Sequence, residues 1–187
     1  MKKTILYAGT IAIIALTACN SAKTENTNET AATPAASGAP VVMDLENRGL
    51  DGLEVTITAP DSMSKKMTFA KSDYTGALDI MAGANYKMTI FSNFADEEQP
   101  IDSSLNTAMS TVKYNTDATT NKYIINEPRL FMWSGTSDKG TGYHFFAVFP
   151  DPKSKSTYYS FGDDEKTLHS EAAIRSMIEI AKTLKRK

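Results

Sequence analysis

The sequence predicts an α+β fold: a twisted, mainly antiparallel sheet with helices on both faces. Three observations predict it. Short runs of β-branched, aromatic and other apolar residues recur between residues 53 and 161, bounded by turn residues. Two segments, one mid-chain and one C-terminal, carry apolar residues at helical spacing instead. The strands follow one another through short turns, and short turns imply antiparallel neighbours, because parallel strands need a crossover of roughly a dozen residues or more.

The elements follow in chain order. Leu53, Val55, Ile57 and Ala59 alternate with Glu54, Thr56 and Thr58, the pattern of a half-buried strand, and Pro60-Asp61 stops it. Met67 to Phe69 is a short strand. Ala77 to Met81 and Tyr86 to Phe91 read as a hairpin around Gly83-Ala84-Asn85. Ile101, Leu105, Met109 and Val112 then lie at spacings of four, four and three, which puts them on one helical face, with Asp102 or Ser103 as cap. Lys122 to Ile125 and Arg129 to Trp133 are strands broken by Asn126-Glu127-Pro128. Tyr143 to Phe149 is apolar on both faces apart from His144, so a central strand is expected there, paired with Thr157 to Phe161 across Asp151-Pro152-Lys153. A final helix is expected from Thr167 to Lys185. Ala173, Ile174, Met177, Ile178, Ala181 and Leu184 form its apolar stripe, and Lys182, Lys185, Arg186 and Lys187 crowd the end where the helix dipole favours cations.

The first forty residues have another character. Lys2 and Lys3 precede an apolar stretch from Ile5 to Leu16, shorter than the roughly 20 residues a membrane-spanning helix needs. The stretch closes on Leu16-Thr17-Ala18-Cys19, and Cys19 is the one cysteine of the chain. These four residues resemble the lipobox of bacterial lipoproteins. The resemblance implies a thioether-linked diacylglycerol on Cys19 and cleavage before it, so that residues 1–18 are a signal peptide. Stable anchoring takes more than one acyl chain, and a lipidated cysteine meets that condition. Asn20 after the cysteine implies outer-membrane sorting by the enterobacterial pattern. Lys23 and Glu25 resemble part of the export signal of surface lipoproteins, with Thr24 where an acid belongs, so the face of the membrane stays open. Residues 19–40 are then the lipidated cysteine and a tether. From Asn20 to Pro40, Thr, Asn, Ala, Ser and Pro dominate, a composition with too little apolar surface to offset ordering. Random-coil scaling gives this tether a span of roughly 25 Å. Asn28-Glu29-Thr30 is formally a glycosylation sequon, a chance match in a bacterial lipoprotein.

Val41 to Lys187 is the size of a single domain. It holds no cysteine, so its stability must come from an apolar core. Loss of Lys2 and Lys3 with the signal peptide leaves 18 basic side chains against 22 acidic ones, a net charge of −4. That balance gives no reason to expect a nucleic-acid partner. Gly52 to Pro60, the mid-chain helix, the aromatic strand Tyr143-His144-Phe145-Phe146-Ala147-Val148 and the final Met177 to Leu184 resemble the PsbP-like α/β/α sandwich family. Its members include the extrinsic subunit of photosystem II, a Ran-binding import factor and many bacterial envelope lipoproteins. The resemblance rests on element order and texture. It implies a fold that acts mainly by binding other proteins and has no shared catalytic residues, so no functional residue carries over.

The remaining candidates are weighed on their own chemistry. Gly135-Thr136-Ser137-Asp138-Lys139-Gly140-Thr141 has the glycine spacing of a phosphate loop, but Thr141 stands where the lysine must be and a strand follows instead of a helix, so a polar hairpin loop is expected. His144 is expected to be a hydrogen-bonded core or semi-buried residue, and His169 exposed in the first turn of the last helix. Neither pattern makes a zinc site, and no Gly-x-Ser-x-Gly elbow marks a hydrolase nucleophile. The acid runs Asp96-Glu97-Glu98 and Asp163-Asp164-Glu165 lack the spacing of a calcium loop and are expected as solvated loop charge. Trp133, near Phe131, Tyr143, Tyr158 and Tyr159 in sequence, is either core or the edge of a binding surface with Tyr143, His144 and Tyr158. No cofactor is implied. The expected role is a membrane-anchored, non-enzymatic module that binds an envelope protein or a small ligand near residues 134–142. The other readings are an uncommon envelope hydrolase acting on glycans or peptides, or a structural subunit of an envelope assembly.

The anchor is directly testable. Cys19→Ala is expected to shift the chain from the membrane fraction to the soluble one, or to leave an uncleaved precursor, as read by fractionation and intact mass.

Overall fold

The computed structural model describes residues 38–95, 101–116, 121–137, 140–164 and 166–187. The expected signal peptide, Cys19, nearly all of the expected tether and the acid run at 96–98 lie outside the described residues. The fold is mixed α+β, rich in strands, with two antiparallel sheets and three helices among the described residues.

The sequence reading anticipated one sheet. The second comes from three strands at the ends of the folded segment: β1 (Val41–Asp44), β2 (Val55–Ala59) and β10 (Lys185–Arg186), in the order β1-β2-β10. Val55, Ile57 and Ala59 are buried and Thr56 and Thr58 partly exposed, as the alternation predicts. A one-turn helix, α1 (Asp61–Ser64), follows Pro60. Of the C-terminal cations only Lys182 caps the last helix; Lys185, Arg186 and Lys187 lie beyond it. Arg186 pairs through β10 with Val55, and its guanidinium reaches Glu54 at 2.8 Å and the Tyr159 hydroxyl at 3.0 Å. Lys187 meets Asp44 at 2.7 Å and also Glu46.

The larger sheet has seven strands: β3 (Met67–Lys71), β4 (Ala77–Ala82), β5 (Lys87–Phe94), β6 (Lys122–Glu127), β7 (Leu130–Ser137), β8 (Gly140–Pro150) and β9 (Thr157–Asp163). Their order is β3-β4-β5-β9-β8-β7-β6, and every neighbouring pair is antiparallel. The expected β4–β5 hairpin and β8–β9 pairing both form. The connection from β5 to β9 is the long-range one: β9 enters between β5 and β8 after α2 (Ile101–Thr116) and three strands have intervened.

Two clusters of buried side chains hold the sheet. The larger joins Leu78, Ile80, Met88, Ile90, Phe145, Ala147, Tyr159 and Phe161 to the small sheet and to α3 (Glu171–Ala181). From α3 it receives Ile174, Met177, Ile178, Ile180 and Ala181. The smaller joins Leu105 and Met109 of α2 to Phe131, Trp133 and Val148. Helix α3 is shorter than its periodicity suggests. The Ser170 hydroxyl accepts the Ala173 N–H at 3.2 Å and starts the helix there, not at Thr167. At the other end the Thr183 hydroxyl accepts the Thr58 N–H at 2.7 Å, and the chain turns to run along β2.

Phe161 is fully buried and meets Phe149 edge-on with ring centroids 5.7 Å apart. Phe161→Ala is expected to cost about 3–5 kcal/mol, measured by urea denaturation, because it opens a cavity in the middle of the larger core.

Candidate functional site

A groove of about 340 Å³ opens beside α2 on the larger sheet. Strand register builds it. Asp79 of β4 stands opposite Thr89 of β5, Thr89 opposite Gly162 of β9, and Gly162 opposite Phe146 of β8, in one row across four strands. Phe91, two residues from Thr89 on the same strand, and Trp133 of β7 also line the groove, with Val112 of α2 and Tyr74 at its mouth. Where every neighbour in the row carries a side chain, Gly162 carries none, and the gap is the groove floor.

The aromatic walls are organised. Tyr74 is 63% exposed and its ring lies 5.8 Å from that of Phe91. Trp133 is only 5% exposed, stacked on Phe131 at 5.2 Å, with the His144 ring tilted against it at 5.4 Å.

The polar residues form two linked groups. Asp79 is buried, accepts the Thr89 hydroxyl proton at 2.8 Å and pairs with Lys87 at 3.1 Å. Lys87 also lies 4.0 Å from Asp164. Burial raises the Asp79 pKa, but the bonds from Thr89, Lys87 and Ser72 outweigh it and hold the carboxyl below its usual range. The bond to Asp79, against a smaller desolvation effect, raises that of Lys87. In the second group the Asp163 carboxylate, with its side chain 1% exposed, accepts the Phe145 N–H at 2.8 Å and lies 2.8 Å from His144 Nδ1. His169 Nε2 approaches the same carboxylate to 3.8 Å, and its Nδ1 is 3.1 Å from the Asn85 carbonyl oxygen.

The structure brings some of the sequence-nominated residues together and separates others. The Trp133 and His144 rings are in contact, and Trp133 lines the groove, but it is buried and does not form an exposed surface. Tyr143 packs against the larger core and Tyr158 against the smaller, and neither lines the groove. His144 is half-buried and hydrogen-bonded, as expected. His169 is a correction: it is 1% exposed, precedes α3, and its backbone carbonyl accepts the Tyr143 N–H at 3.1 Å. Asp163 is another correction: it ends β9 as a buried hydrogen-bond acceptor and is not solvated loop charge. The polar loop at 135–141 is mostly ladder, since Gly135 pairs with Gly142, Thr136 with Thr141 and Ser137 with Gly140. Lys87, Thr89, Phe91, Phe146 and Gly162 were not nominated. Their one sequence signal is the glycine inside an aromatic strand, which marks a close approach only once the partner strands are known.

Among the described residues no three His, Cys, Asp or Glu side chains could share a metal ion, and no helix is long and apolar enough to cross a membrane. No family model, no curated protein and no solved structure matches the chain.

Because its folded pKa is depressed, Asp79 contributes stability that is present above the unfolded carboxyl value of about 4 and lost as pH falls through the folded value. The stability advantage of the wild type over Asp79→Asn is therefore expected to be constant from about pH 5 to 8 and to shrink below about pH 4, in urea titrations at each pH.

Proposed function

We propose that this chain is a bacterial lipoprotein of the cell envelope, outer membrane by the residue after its cysteine, held through lipid on Cys19. Its folded part is read as a PsbP-like α/β/α sandwich that serves as a non-enzymatic binding module. The leader and lipobox support the anchor, and the strand-rich α+β architecture is compatible with the sandwich. The single observation that carries the binding reading is the groove over Gly162, walled by Phe91, Phe146 and Trp133 with Lys87 and Asp164 at its polar end. A concave site with apolar walls and a few convergent polar groups is what small-molecule recognition requires. The ligand is then a small molecule taken in the groove, and the tether lets the domain reach it from the bilayer surface.

One observation favours a second reading, a hydrolase acting on glycans or peptides. His144 meets the buried Asp163 at 2.8 Å, and an oriented histidine–acid pair is one part of a triad. Its ring is also packed on Trp133, which fits a positioning role for the indole equally well.

Trp133 is the only tryptophan and lines the groove, so its emission reports occupancy. A chemically diverse set of small ring compounds, titrated into the detergent-solubilised full chain, is expected to contain members that change this emission saturably, with dissociation constants on the order of 0.1–1 mM for ligands this small. Phe91→Ala is expected to weaken the binding. A set in which no member gives a saturable change contradicts the reading, and turnover of a glycan or peptide lost in His144→Ala favours the hydrolase.

A further inference from the structure

We propose that the groove accepts one uncharged ring of a carbohydrate, and that Gly162 is the residue that admits it. The inference rests on the groove being a binding site and assigns the class of ligand.

Gly162 has no structural reason to be glycine. Its φ lies outside the left-handed region occupied by Gly52, Gly76, Gly83 and Gly140. A Cβ placed on it would meet only the Phe145 carbonyl oxygen at 3.8 Å and Phe146 Cδ2 at 3.9 Å, ordinary contact distances. A glycine inside a strand weakens the sheet and gives up side-chain packing. Here it sits directly between Thr89 of β5 and Phe146 of β8, where a larger residue would fill the floor.

The lining sets the chemistry. Its charged residues are Lys87, Lys166, Asp163 and Asp164, two of each sign. Lys87 is already matched by Asp79 at 3.1 Å, and Asp163 is held by the Phe145 N–H and His144. A phosphate or carboxylate ligand finds no surplus of positive charge there. A hydrocarbon would bury the ammonium and carboxylate groups without replacing their water, at a cost. A sugar ring answers both demands. Its C–H faces lie against the aromatic rings of Phe91, Phe146 and Tyr74, and each hydroxyl donates once and accepts twice, so it can bridge ammonium and carboxylate. A volume of about 340 Å³ is near the lower end of ligand sites and suits one or two rings, not a long segment of polymer.

The test uses the full chain in a zwitterionic detergent that carries no sugar. Methyl glucoside, methyl galactoside, methyl mannoside and N-acetylglucosamine are titrated while Trp133 emission and saturation-transfer NMR are recorded, with benzoate and indole as non-sugar rings. The expected result is saturable binding of at least one sugar, weakened tenfold or more by Gly162→Val and at least threefold by Tyr74→Ala. Thermal melting checks that Gly162→Val still folds, and Tyr74, being mostly exposed, gives a second variant that leaves the cores intact. A free sugar and the end of a glycan chain present the same ring. Equal affinity for the glycoside and its trisaccharide identifies a chain end, and binding of the glycoside alone identifies a free sugar; both support the assignment. Binding of benzoate or indole without any sugar overturns the carbohydrate assignment and leaves the groove as a site for another ligand. Sugar binding unchanged by both variants overturns it too, by placing the sugar elsewhere. Silence from every probe overturns both the assignment and the binding reading.

Discussion

The pairing of β9 with β5 on one edge and β8 on the other fixes what lies above and below the larger sheet. Along β9, Tyr159 and Phe161 go to the larger core, while the intervening Ser160 and Gly162 stand opposite Val148 and Phe146. Along β8, Phe145 and Ala147 join that same core, and Val148 and Phe146 pack with α2. A slip of one residue would turn every one of these side chains to the wrong side, so register is held by both cores at once. The same register puts Gly162 in line with Asp79, Thr89 and Phe146 and so creates the groove. Fold and candidate site are consequences of one alignment.

The end of the chain closes the structure in a second way. Lys185 and Arg186 add a strand to β2, and Arg186 links Glu54 of that region to Tyr159 of the larger sheet. Tyr159 in turn donates to Asp151 at 3.2 Å, in the turn between β8 and β9. Exposed ion pairs contribute little singly, on the order of 0–1 kcal/mol. The Arg186–Tyr159–Asp151 chain is more enclosed, since Tyr159 and Asp151 are both buried. Hydrogen bonds between buried groups are costly to leave unmade, so this chain sets the position of the small sheet more than its own net energy suggests.

Much of the element list was legible because period-two and period-3.6 patterns are local. β2, the β4–β5 hairpin, the apolar faces of α2 and α3, and the β8–β9 pair all followed from spacing and turn residues. β1 and β10 were not legible: four and two residues carry no periodicity, and β10 pairs with β2 across most of the folded segment. The site was read less well for the same reason. Trp133 and His144 stood out by residue type, and their rings are in contact. Asp163 and His169 sit in a stretch whose charge and polarity look like those of a surface turn, and only the tertiary position of Phe145 and Asn85 turns them inward. Gly162 could not be singled out, because a glycine gains meaning from its cross-strand neighbours, and those neighbours come from strands about 70 and 16 positions away.

Native-state hydrogen exchange on the full chain tests this account most directly. If the alignment of β9 holds the two cores together, the amides of Ile90, Phe145 and Phe161 should exchange slowest, and only through global unfolding, while those of β1 and β10 exchange earlier. Exchange of the β9 amides as fast as those of the small sheet, or well before global unfolding, would contradict it.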